Sequence, residues 1–192
     1  WSSAAIYVAA GIFAGPINLC NLHLGSKQGD RAIINIAKQM GANIKCEESK
    51  ICIDRSKLRG IRIDAKNIPD LVPIICVLAA VAMGETVIEN ISRLRLKESN
   101  RVYAMVSNLR KLGVKVQTAQ NQIRVEGKEK FCGGVTLNGF EDHRIVMAMA
   151  IAALCSDDDV YIKDANSVCK SYRNFWSDYR KLGGKIDVCN FR

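Results

Sequence analysis

Long hydrophobic runs are missing from this sequence. Its most apolar stretches, residues 71–83 and 145–154, fall short of the roughly 18 to 20 residues that a membrane-spanning helix needs. With 48% apolar side chains in 192 residues, the chain can still bury a full core, so we predict one domain or at most two small ones. The chain also opens on Trp1, without an initiator methionine or a basic leader. We therefore expect that it begins mid-sequence and that any targeting segment lies outside it.

The cysteines form no Cys-x-x-Cys pair. All eight are scattered along the chain, most of them among apolar neighbours that are typical of buried thiols. Disulfide scaffolds are normally shorter and richer in loops, so we predict reduced cysteines, as in a cytosolic protein. The two histidines, His23 and His143, lie far apart and have no cysteine at ligand spacing, so we expect no metal site.

Dense runs of basic residues are also missing, although the formal net charge is +9. Such a charge suits a nucleic acid, an acidic membrane or a small anionic substrate. The lysines and arginines are spread over the whole chain, without the interleaved aromatics of single-strand binders. This distribution favours a small polyanion. A repeat-built nucleic-acid-binding or scaffold protein is the non-catalytic alternative.

One short pattern occurs three times. Residues 36–44 (IAKQMGANI), 108–116 (NLRKLGVKV) and 179–186 (YRKLGGKI) each join an amphipathic helix to an alternating strand through a glycine. The shared glycine recurs about every 70 residues, at Gly41, Gly113 and Gly183. We predict that each glycine ends its helix in the left-handed conformation.

An almost wholly apolar helix and a short strand precede each copy. The predicted helices span residues 2–14, 69–83 and 142–155, and the strands span residues 17–24, 86–91 and 160–164. A helix that is apolar on all sides must be buried on all sides, so these three should pack together under an outer layer of sheet. Further strands are predicted after the amphipathic helices, at residues 51–54, 60–64, 123–125 and 135–137.

These patterns predict an α/β fold of three units, at residues 1–66, 67–139 and 140–192. The third unit stops at Arg192 after a single strand beyond its second helix. We therefore expect something outside this chain to supply the missing strands. The alternative is an ordinary α/β domain whose internal similarity is accidental.

Residues 94–101, LRLKESNR, gather charges at the predicted start of the second amphipathic helix. Lys97 and Arg101 are four residues apart and would share one face, where the helix N-terminus adds positive potential. With Glu98 close enough to transfer protons, the pattern predicts an anion clamp. A solvated helix start with ordinary charges is the alternative.

Residues 141–147, EDHRIVM, open the third apolar helix, with Asp142 as its candidate N-cap. His143 and Arg144 are costly at the mouth of so apolar a helix unless they face a ligand or a partner charge. A structural salt bridge is the alternative. Polar residues recur at the other predicted helix starts as well, at residues 26–30, 67–70 and 170–172. If these N-termini point the same way, they converge on one basic, anion-binding face.

These motifs resemble those of a known family. LRLKESNR resembles the LR(V/L)KE(S/T)DR motif of 5-enolpyruvylshikimate-3-phosphate (EPSP) synthases, and EDHRIVM resembles their DHR-(M/I)-A-M motif. The segments WSSAA, SKQGD, DAKNIPDLVP and SVCKSYRNF continue the resemblance in family order over essentially the whole chain. The sister family, the UDP-N-acetylglucosamine enolpyruvyl transferases, lacks the combination of KES(D/N)R with DHR and is the runner-up.

The resemblance implies a transferase that uses no metal or organic cofactor. The enolpyruvyl group of phosphoenolpyruvate would pass to the 5-hydroxyl of shikimate 3-phosphate: the hydroxyl adds to C2 as C3 is protonated, and phosphate then leaves the tetrahedral intermediate. Asp70 would contact the shikimate hydroxyls and act as the base, and Glu98 would transfer the proton at C3. The substrate-binding residues would be Lys97 for shikimate 3-phosphate, Arg101, Arg144 and Lys170 for phosphoenolpyruvate, His143 as a nearby support, and Arg93.

The resemblance also implies two similar lobes with the active site in the cleft between them. Each lobe consists of three βαβαββ repeats around buried parallel helices. This chain would be the lobe built mostly from the C-terminal half and completed by a short N-terminal segment, while the other lobe is absent. We expect the isolated chain to be inactive and the full-length enzyme to be a monomer, without nucleic-acid or membrane partners. Its location would be cytoplasmic, or the chloroplast in a plant.

Four residues depart from the family motifs. Asn100 stands where Asp is usual, Arg173 where Pro is usual, Arg93 where a substrate-contacting Asn is often found, and Glu141 where Asn is common. None of them removes a catalytic side chain that the resemblance implies. They leave substrate affinity and sensitivity to glyphosate open.

Overall fold

The computed structural model describes residues 1–48 and 50–189. Within these ranges, six α-helices and nine β-strands follow one another. The helices are α1 (Ser2–Ala14), α2 (Ala32–Gln39), α3 (Val72–Val81), α4 (Arg101–Lys111), α5 (His143–Ala153) and α6 (Phe175–Lys181). The strands are β1 (Ile17–Cys20), β2 (Ile44–Cys46), β3 (Lys50–Ile53), β4 (Arg62–Asp64), β5 (Glu85–Glu89), β6 (Lys115–Ala119), β7 (Gln122–Glu126), β8 (Val135–Leu137) and β9 (Val160–Ile162).

Three apolar helices, α1, α3 and α5, form the centre of the core. Each packs against the other two, and most of their side chains are buried. This confirms the prediction of three central helices, because a helix without a polar face finds apolar partners only inside the molecule. The second apolar helix, α3, begins later than predicted. Residues Pro69–Leu71 form a separate 3-10 turn, and Pro73 lies in the first turn of α3, where its missing N–H leaves no hydrogen bond unmade.

The other three helices, α2, α4 and α6, end in the same way. The glycine after each helix has a left-handed φ, of 101° at Gly41, 76° at Gly113 and 95° at Gly183. The next residue donates its N–H back to a carbonyl of the last helical turn, as from Ala42 to Ala37. These bonds satisfy carbonyls that a helix end otherwise leaves free. The predicted glycine caps are therefore confirmed in all three copies.

Three sheets cover the helices, with strand orders β1-β3-β2, β4-β5-β7-β6 and β8-β9. The pairs β4 with β5 and β8 with β9 are parallel, so the last strand of one predicted unit pairs with the first strand of the next. The first strand is shorter than the predicted range of residues 17–24. It ends at Cys20 because Asn21 adopts a left-handed φ of 61°, which an extended strand does not allow.

The third unit lacks the strand that was predicted after Gly183. Residues 185–189 have no regular structure, and Arg192 lies outside the described residues. In the second unit the equivalent strand, β6, pairs with β7, but no described residue of the third unit takes the place of β7. The prediction is therefore wrong for residues 185–189, because a strand does not persist without a partner for its backbone. The unit boundaries stay a prediction.

The prediction that most cysteines are buried is also wrong. Five of them are exposed: Cys20, Cys46, Cys132, Cys169 and Cys189. Cys20 is exposed because alternate residues of a strand point to opposite faces, and β1 turns this residue outward. All eight are unpaired with one another, and Cys76 is fully buried within α3. In the described ranges, no helix is long and apolar enough to cross a membrane.

Candidate active site

The starts of α3, α4 and α5 lie close together, and polar side chains organise them. Asn100 caps α4 by accepting a hydrogen bond of 3.1 Å from the backbone N–H of Tyr103. Asp142 caps α5 by accepting one of 2.9 Å from the N–H of Arg144, as predicted. Because Asn100 ends the preceding loop, Lys97 and Glu98 lie before α4 and not in its first turn. The prediction that Lys97 and Arg101 share one helix face is therefore wrong.

Arg101 connects the three helix starts. Its side chain is only 3% exposed. Its Nε lies 2.7 Å from Oδ2 of Asp142, and its Nη1 lies 2.8 Å from Oδ1 of Asp70. Its Nη2 lies 3.3 Å from Oδ1 of Asp142 and 3.4 Å from Oε2 of Glu98. All three guanidinium nitrogens are thus occupied, and Arg101 fixes the positions of three carboxylates.

Asp70 is the point where the cations converge. Besides Arg101, its carboxylate contacts Lys97, with Nζ 3.2 Å from Oδ1, and Arg144, with Nη2 3.4 Å from Oδ2. Burial raises the pKa of Asp70, but the positive charges of Arg144, Lys97 and Arg101 outweigh it, so the pKa lies below its usual value. In this state Asp70 is ionised and a weak base.

Arg144 is held by a second carboxylate, that of Asp30. Nη1 of Arg144 lies 3.6 Å from Oδ2 of Asp30 and donates a hydrogen bond of 3.2 Å to the backbone carbonyl of Asp70. Asp30 is buried and accepts a hydrogen bond from the hydroxyl of Ser2. Neither Asp30 nor Ser2 was predicted as a site residue. The only sequence signal was an acidic residue in the polar start of α2.

His143 and Glu98 lie beside these ion pairs, and together with them form one cluster of charged and polar side chains at the three helix starts. Nδ1 of the largely buried His143 lies 3.1 Å from Oε2 of Glu98, although the pair lacks hydrogen-bond geometry. Burial lowers the pKa of His143 below its usual value; Glu98 and Asp142 raise it, and Arg144 and Arg101 lower it further. His143 is therefore neutral at pH 7.

Glu98, Asp142 and His143 bring potential metal-ligand atoms within 4.8 Å of one another. A divalent cation does not fit there, because Asp142 already binds the guanidinium of Arg101 and the hydroxyl of Ser99. The cation would have to displace the buried charge of Arg101.

Lys170 lies beside the cluster and Arg93 lies apart from it. Nζ of Lys170 donates a hydrogen bond of 2.6 Å to the carbonyl of Glu141, which precedes the cap of α5. Lys170 ends the 3-10 helix Ala165–Lys170 and does not open α6, which begins at Phe175. Arg93 is exposed in the 3-10 helix Ser92–Leu96 and forms no ion pair with any described residue. The structure thus brings together Asp70, Lys97, Glu98, Arg101, His143 and Arg144.

The charges of the cluster largely cancel. The sequence predicted a basic, anion-binding face, but Asp30, Asp70, Glu98 and Asp142 lie among the cations. Buried cations need partner charges when no ligand is bound, so an incoming anion has to compete with these carboxylates. Two surface pockets, of about 440 and 170 Å³, are lined by none of the cluster residues.

A sequence model of the family described as EPSP synthase (3-phosphoshikimate 1-carboxyvinyltransferase) matches residues 1–179. A Clostridium novyi protein named 3-phosphoshikimate 1-carboxyvinyltransferase is 45% identical over 187 residues, which are 97% of this chain and 43% of that protein. An EPSP synthase structure from Acinetobacter baumannii matches with a TM-score of 0.89 and 28% identity, over 98% of this chain and 47% of the other.

A more distant structure shows the same fold. The enolpyruvyl transferase NikO from Streptomyces tendae matches with a TM-score of 0.77 and 19% identity, over 97% of this chain and 43% of the other. The fold is thus an α/β lobe of the enolpyruvyl transferase type, as predicted. This chain spans less than half the length of the relatives that it matches. The family model, the sequence relatives and the shared fold agree, and the chain belongs to the EPSP synthase family.

Proposed function

We propose that this chain is one lobe of an enzyme that transfers the enolpyruvyl group of phosphoenolpyruvate to the 5-hydroxyl of shikimate 3-phosphate and releases phosphate. The observation that carries this proposal is the convergence of Lys97, Arg101 and Arg144 on Asp70, at the starts of α3, α4 and α5. Between them, the two substrates carry two phosphates and two carboxylates. Cations that stay charged when desolvated suit such groups, and arginine does this best.

Lys97 and Arg144 are the cations most able to change partners. Their side chains are 29% and 17% exposed, whereas that of Arg101 is 3% exposed. We propose that Lys97 binds shikimate 3-phosphate and that Arg144, with Lys170 beside it, binds phosphoenolpyruvate. The geometry favours Arg101 as the residue that orders the carboxylates, and its direct contact with phosphoenolpyruvate stays a prediction. So does the contact of Arg93 with a substrate.

The same exchange of partners would activate Asp70. When substrate anions draw Lys97 and Arg144 away, two of the three charges that lower the pKa of Asp70 are removed. The carboxylate then becomes a stronger base for the proton of the 5-hydroxyl. Glu98 in its protonated form would give its proton to C3 as the hydroxyl oxygen bonds to C2. It would take a proton back from C3 as the C–O bond to phosphate breaks, and the proton held by Asp70 would pass to the departing phosphate. His143, neutral and 3.1 Å from Glu98, would support that carboxyl group.

The rest of the protein would supply the second half of the site. The chain spans 43% of its Clostridium novyi relative, and β1 and β9 each have a single neighbouring strand among the described residues. An open strand edge offers unpaired N–H and C=O groups to another strand. We propose that the partner of this chain is the remaining, N-terminal lobe. Without it, the positioning of two substrates is lost, which removes about 7 to 11 kcal/mol of catalytic advantage.

A phosphate-release assay tests the proposal. The chain is assayed alone, then mixed with the complementary part of the Clostridium novyi relative, with phosphoenolpyruvate and shikimate 3-phosphate as substrates. We expect no turnover from the chain alone and measurable release from the mixture. Arg144→Ala should abolish that release, and Arg124→Ala, which removes an exposed ion pair with Glu85, should leave it unchanged.

Two outcomes would contradict the proposal. Turnover by the chain alone would show that the site is complete within this lobe. Release that requires UDP-N-acetylglucosamine in place of shikimate 3-phosphate would favour the sister activity.

A further inference from the structure

Asp30 lies outside the proposed catalytic residues but contacts two helix starts of the core. It belongs to the 3-10 turn Gly29–Arg31 that leads into α2, and only 7% of its surface is exposed. Ser2, the first residue of α1, donates its hydroxyl hydrogen to Oδ2 of Asp30. Nη1 of Arg144, in the first turn of α5, lies 3.6 Å from the same oxygen. Asp30 therefore joins the starts of α1, α2 and α5.

A carboxylate so deeply buried needs compensating partners. Among the described residues, Arg144 is the only cation paired with Asp30, and Ser2 supplies its hydrogen bond. The pairing works in both directions: Arg144 stabilises the charge of Asp30, and Asp30 limits the directions in which the guanidinium can point.

Two carboxylates, those of Asp70 and Asp30, contact the guanidinium of Arg144, and they differ in their other partners. Asp70 contacts Nη2 through Oδ2 at 3.4 Å, but it also binds Lys97 and Arg101 and is the proposed base. It must change partners when substrates bind. Asp30 has no such competing cation. When an anion takes Nη2 from Asp70, the contact of Nη1 with Asp30 can persist.

We infer that Asp30 is a positioning residue that, together with Ser2, holds the guanidinium of Arg144 in place for the phosphate or carboxylate of an anionic substrate. The identity of that anion as phosphoenolpyruvate rests on the proposed function. The fixing of Arg144 does not, since it follows from the contacts of the unliganded chain.

The direction in which anion affinity changes in Asp30→Asn distinguishes a positioning role of Asp30 from a purely electrostatic effect of its charge. Asp30→Asn removes a negative charge near an anion site, and Coulomb's law alone predicts tighter anion binding. Positioning predicts the opposite. Titration of the 192-residue chain with phosphoenolpyruvate, followed by NMR, should give a dissociation constant raised about three- to tenfold in Asp30→Asn. The control Glu126→Gln removes an exposed carboxylate paired with Lys115 and should leave the constant unchanged.

A double-mutant cycle shows whether Asp30 acts through Arg144. In an Arg144→Gln background, Asp30→Asn should cause no further loss of affinity, because the group that it positions is already gone. An equal loss in both backgrounds would mean that Asp30 acts by another route and would overturn the inference.

A second readout needs no ligand. Relaxation of the Arg144 side-chain ¹⁵Nε in the free chain should show greater mobility in Asp30→Asn and in Ser2→Ala, and unchanged mobility in Glu126→Gln. Ser2→Ala keeps the buried charge, so it carries the test if Asp30→Asn does not fold. Unchanged Arg144 mobility, or tighter anion binding, overturns the inference. If the wild-type chain alone does not bind phosphoenolpyruvate, the mobility measurement decides the inference by itself, while the phosphate-release assay of the mixture still decides the proposed function.

Discussion

Arg101 and Asp142 form an ion pair that is sealed from solvent, with side chains 3% and 0% exposed. Burial raises the pKa of Asp142, but the hydrogen bond and charge of Arg101 outweigh it, so the pKa lies below its usual value. Burial lowers the pKa of Arg101, but the hydrogen bonds and charges of Asp142 and Asp70 outweigh it, so the pKa lies above its usual value. Both side chains are therefore charged at neutral pH, and the loss of either partner is costly for the other.

Asp142→Asn should therefore destabilise the chain strongly. The substitution leaves the charge of Arg101 buried with fewer partners, and we expect a loss of about 3 to 5 kcal/mol in the free energy of unfolding. Urea unfolding followed by circular dichroism measures it. Glu126→Gln, which breaks an ion pair between exposed side chains, should change the same free energy by less than about 1 kcal/mol. A similar small change in both variants would contradict the structural role of the pair.

The buried imidazole of His143 should make stability depend on pH. Its folded-state pKa lies below the unfolded value of about 6.5, so between the two values the unfolded chain binds more protons. Stability from this group is complete above about pH 6.5 and is lost as the pH falls from there through the folded pKa. The urea concentration at the unfolding midpoint of the wild-type chain should decrease as the pH is lowered from 7 to 5.

His143→Gln should have a flatter profile over that range, because it removes the titrating group. The other histidine, His23, is exposed and serves as the control through His23→Gln, whose profile should match that of the wild type. Parallel profiles for the wild type and His143→Gln would show that another group causes the acid sensitivity.

At the scale of elements, the three glycine caps differ in their surroundings. An added Cβ at Gly113 would lie 2.7 Å from Sγ of Cys132, whereas at Gly183 it would meet nothing within 4 Å. Both glycines have left-handed φ values, so an alanine at either position is strained by about 1 to 2 kcal/mol.

Gly113→Ala should therefore be more destabilising than Gly183→Ala, since it adds a steric clash to the backbone strain. Urea midpoints of the two variants test this order. Cys132→Ala in the Gly113→Ala background should recover part of the difference, because the closest atom is then absent. Equal losses for the two glycines would mean that backbone conformation alone sets the effect.

At the scale of the whole molecule, burial should divide the cysteines into thiols that react quickly with a labelling reagent and thiols that react slowly. Burial raises the pKa of the Cys76 thiol to about 12. Burial also raises the pKa of the Cys155 thiol to about 12, although the nearby charge of Arg55 acts to lower it. A thiol reacts as its thiolate, so these two should label slowly with Ellman's reagent. The exposed thiols, such as Cys20 and Cys132, should label fast.

Cys76 should react only at the rate of global unfolding, because it lies inside α3 among the central helices. Mass spectrometry of the labelled peptides identifies each site. In urea, all eight thiols should label at once. Rapid labelling of Cys76 in the native chain would show that the three-helix core opens without the rest of the molecule.

Several elements could be predicted from the sequence because their signals are local. The apolar composition of α1, α3 and α5 requires burial whatever surrounds them, and a glycine after an amphipathic stretch has a strong preference for the left-handed cap. Asp142 was predicted as a cap for the same kind of reason. The motifs around Glu98 and Arg144 indicated the family, and with it most of the residues that the structure brings together.

Other features could not be predicted, because they depend on residues far apart in the chain. Lys97 lies in the loop before α4 and reaches Asp70, and the two meet because α3 packs against α4. The sequence predicted that the third unit lacks partner strands, but it also predicted a strand after Gly183. Among the described residues no strand lies beside residues 185–189, and they are irregular.

The sequence by itself determined the apolar helices, the glycine caps and the family, since each depends on residue types at short spacings. Only the tertiary structure decided that the cations face carboxylates, that Arg101 is locked among three of them, and that Asp30 holds Arg144. Asp30 and Arg144 are separated by most of the chain and meet because α2 and α5 both pack against α1. The charge of an isolated motif does not reveal such a partner, because electrostatic pairing depends on distance in space and not on distance in sequence.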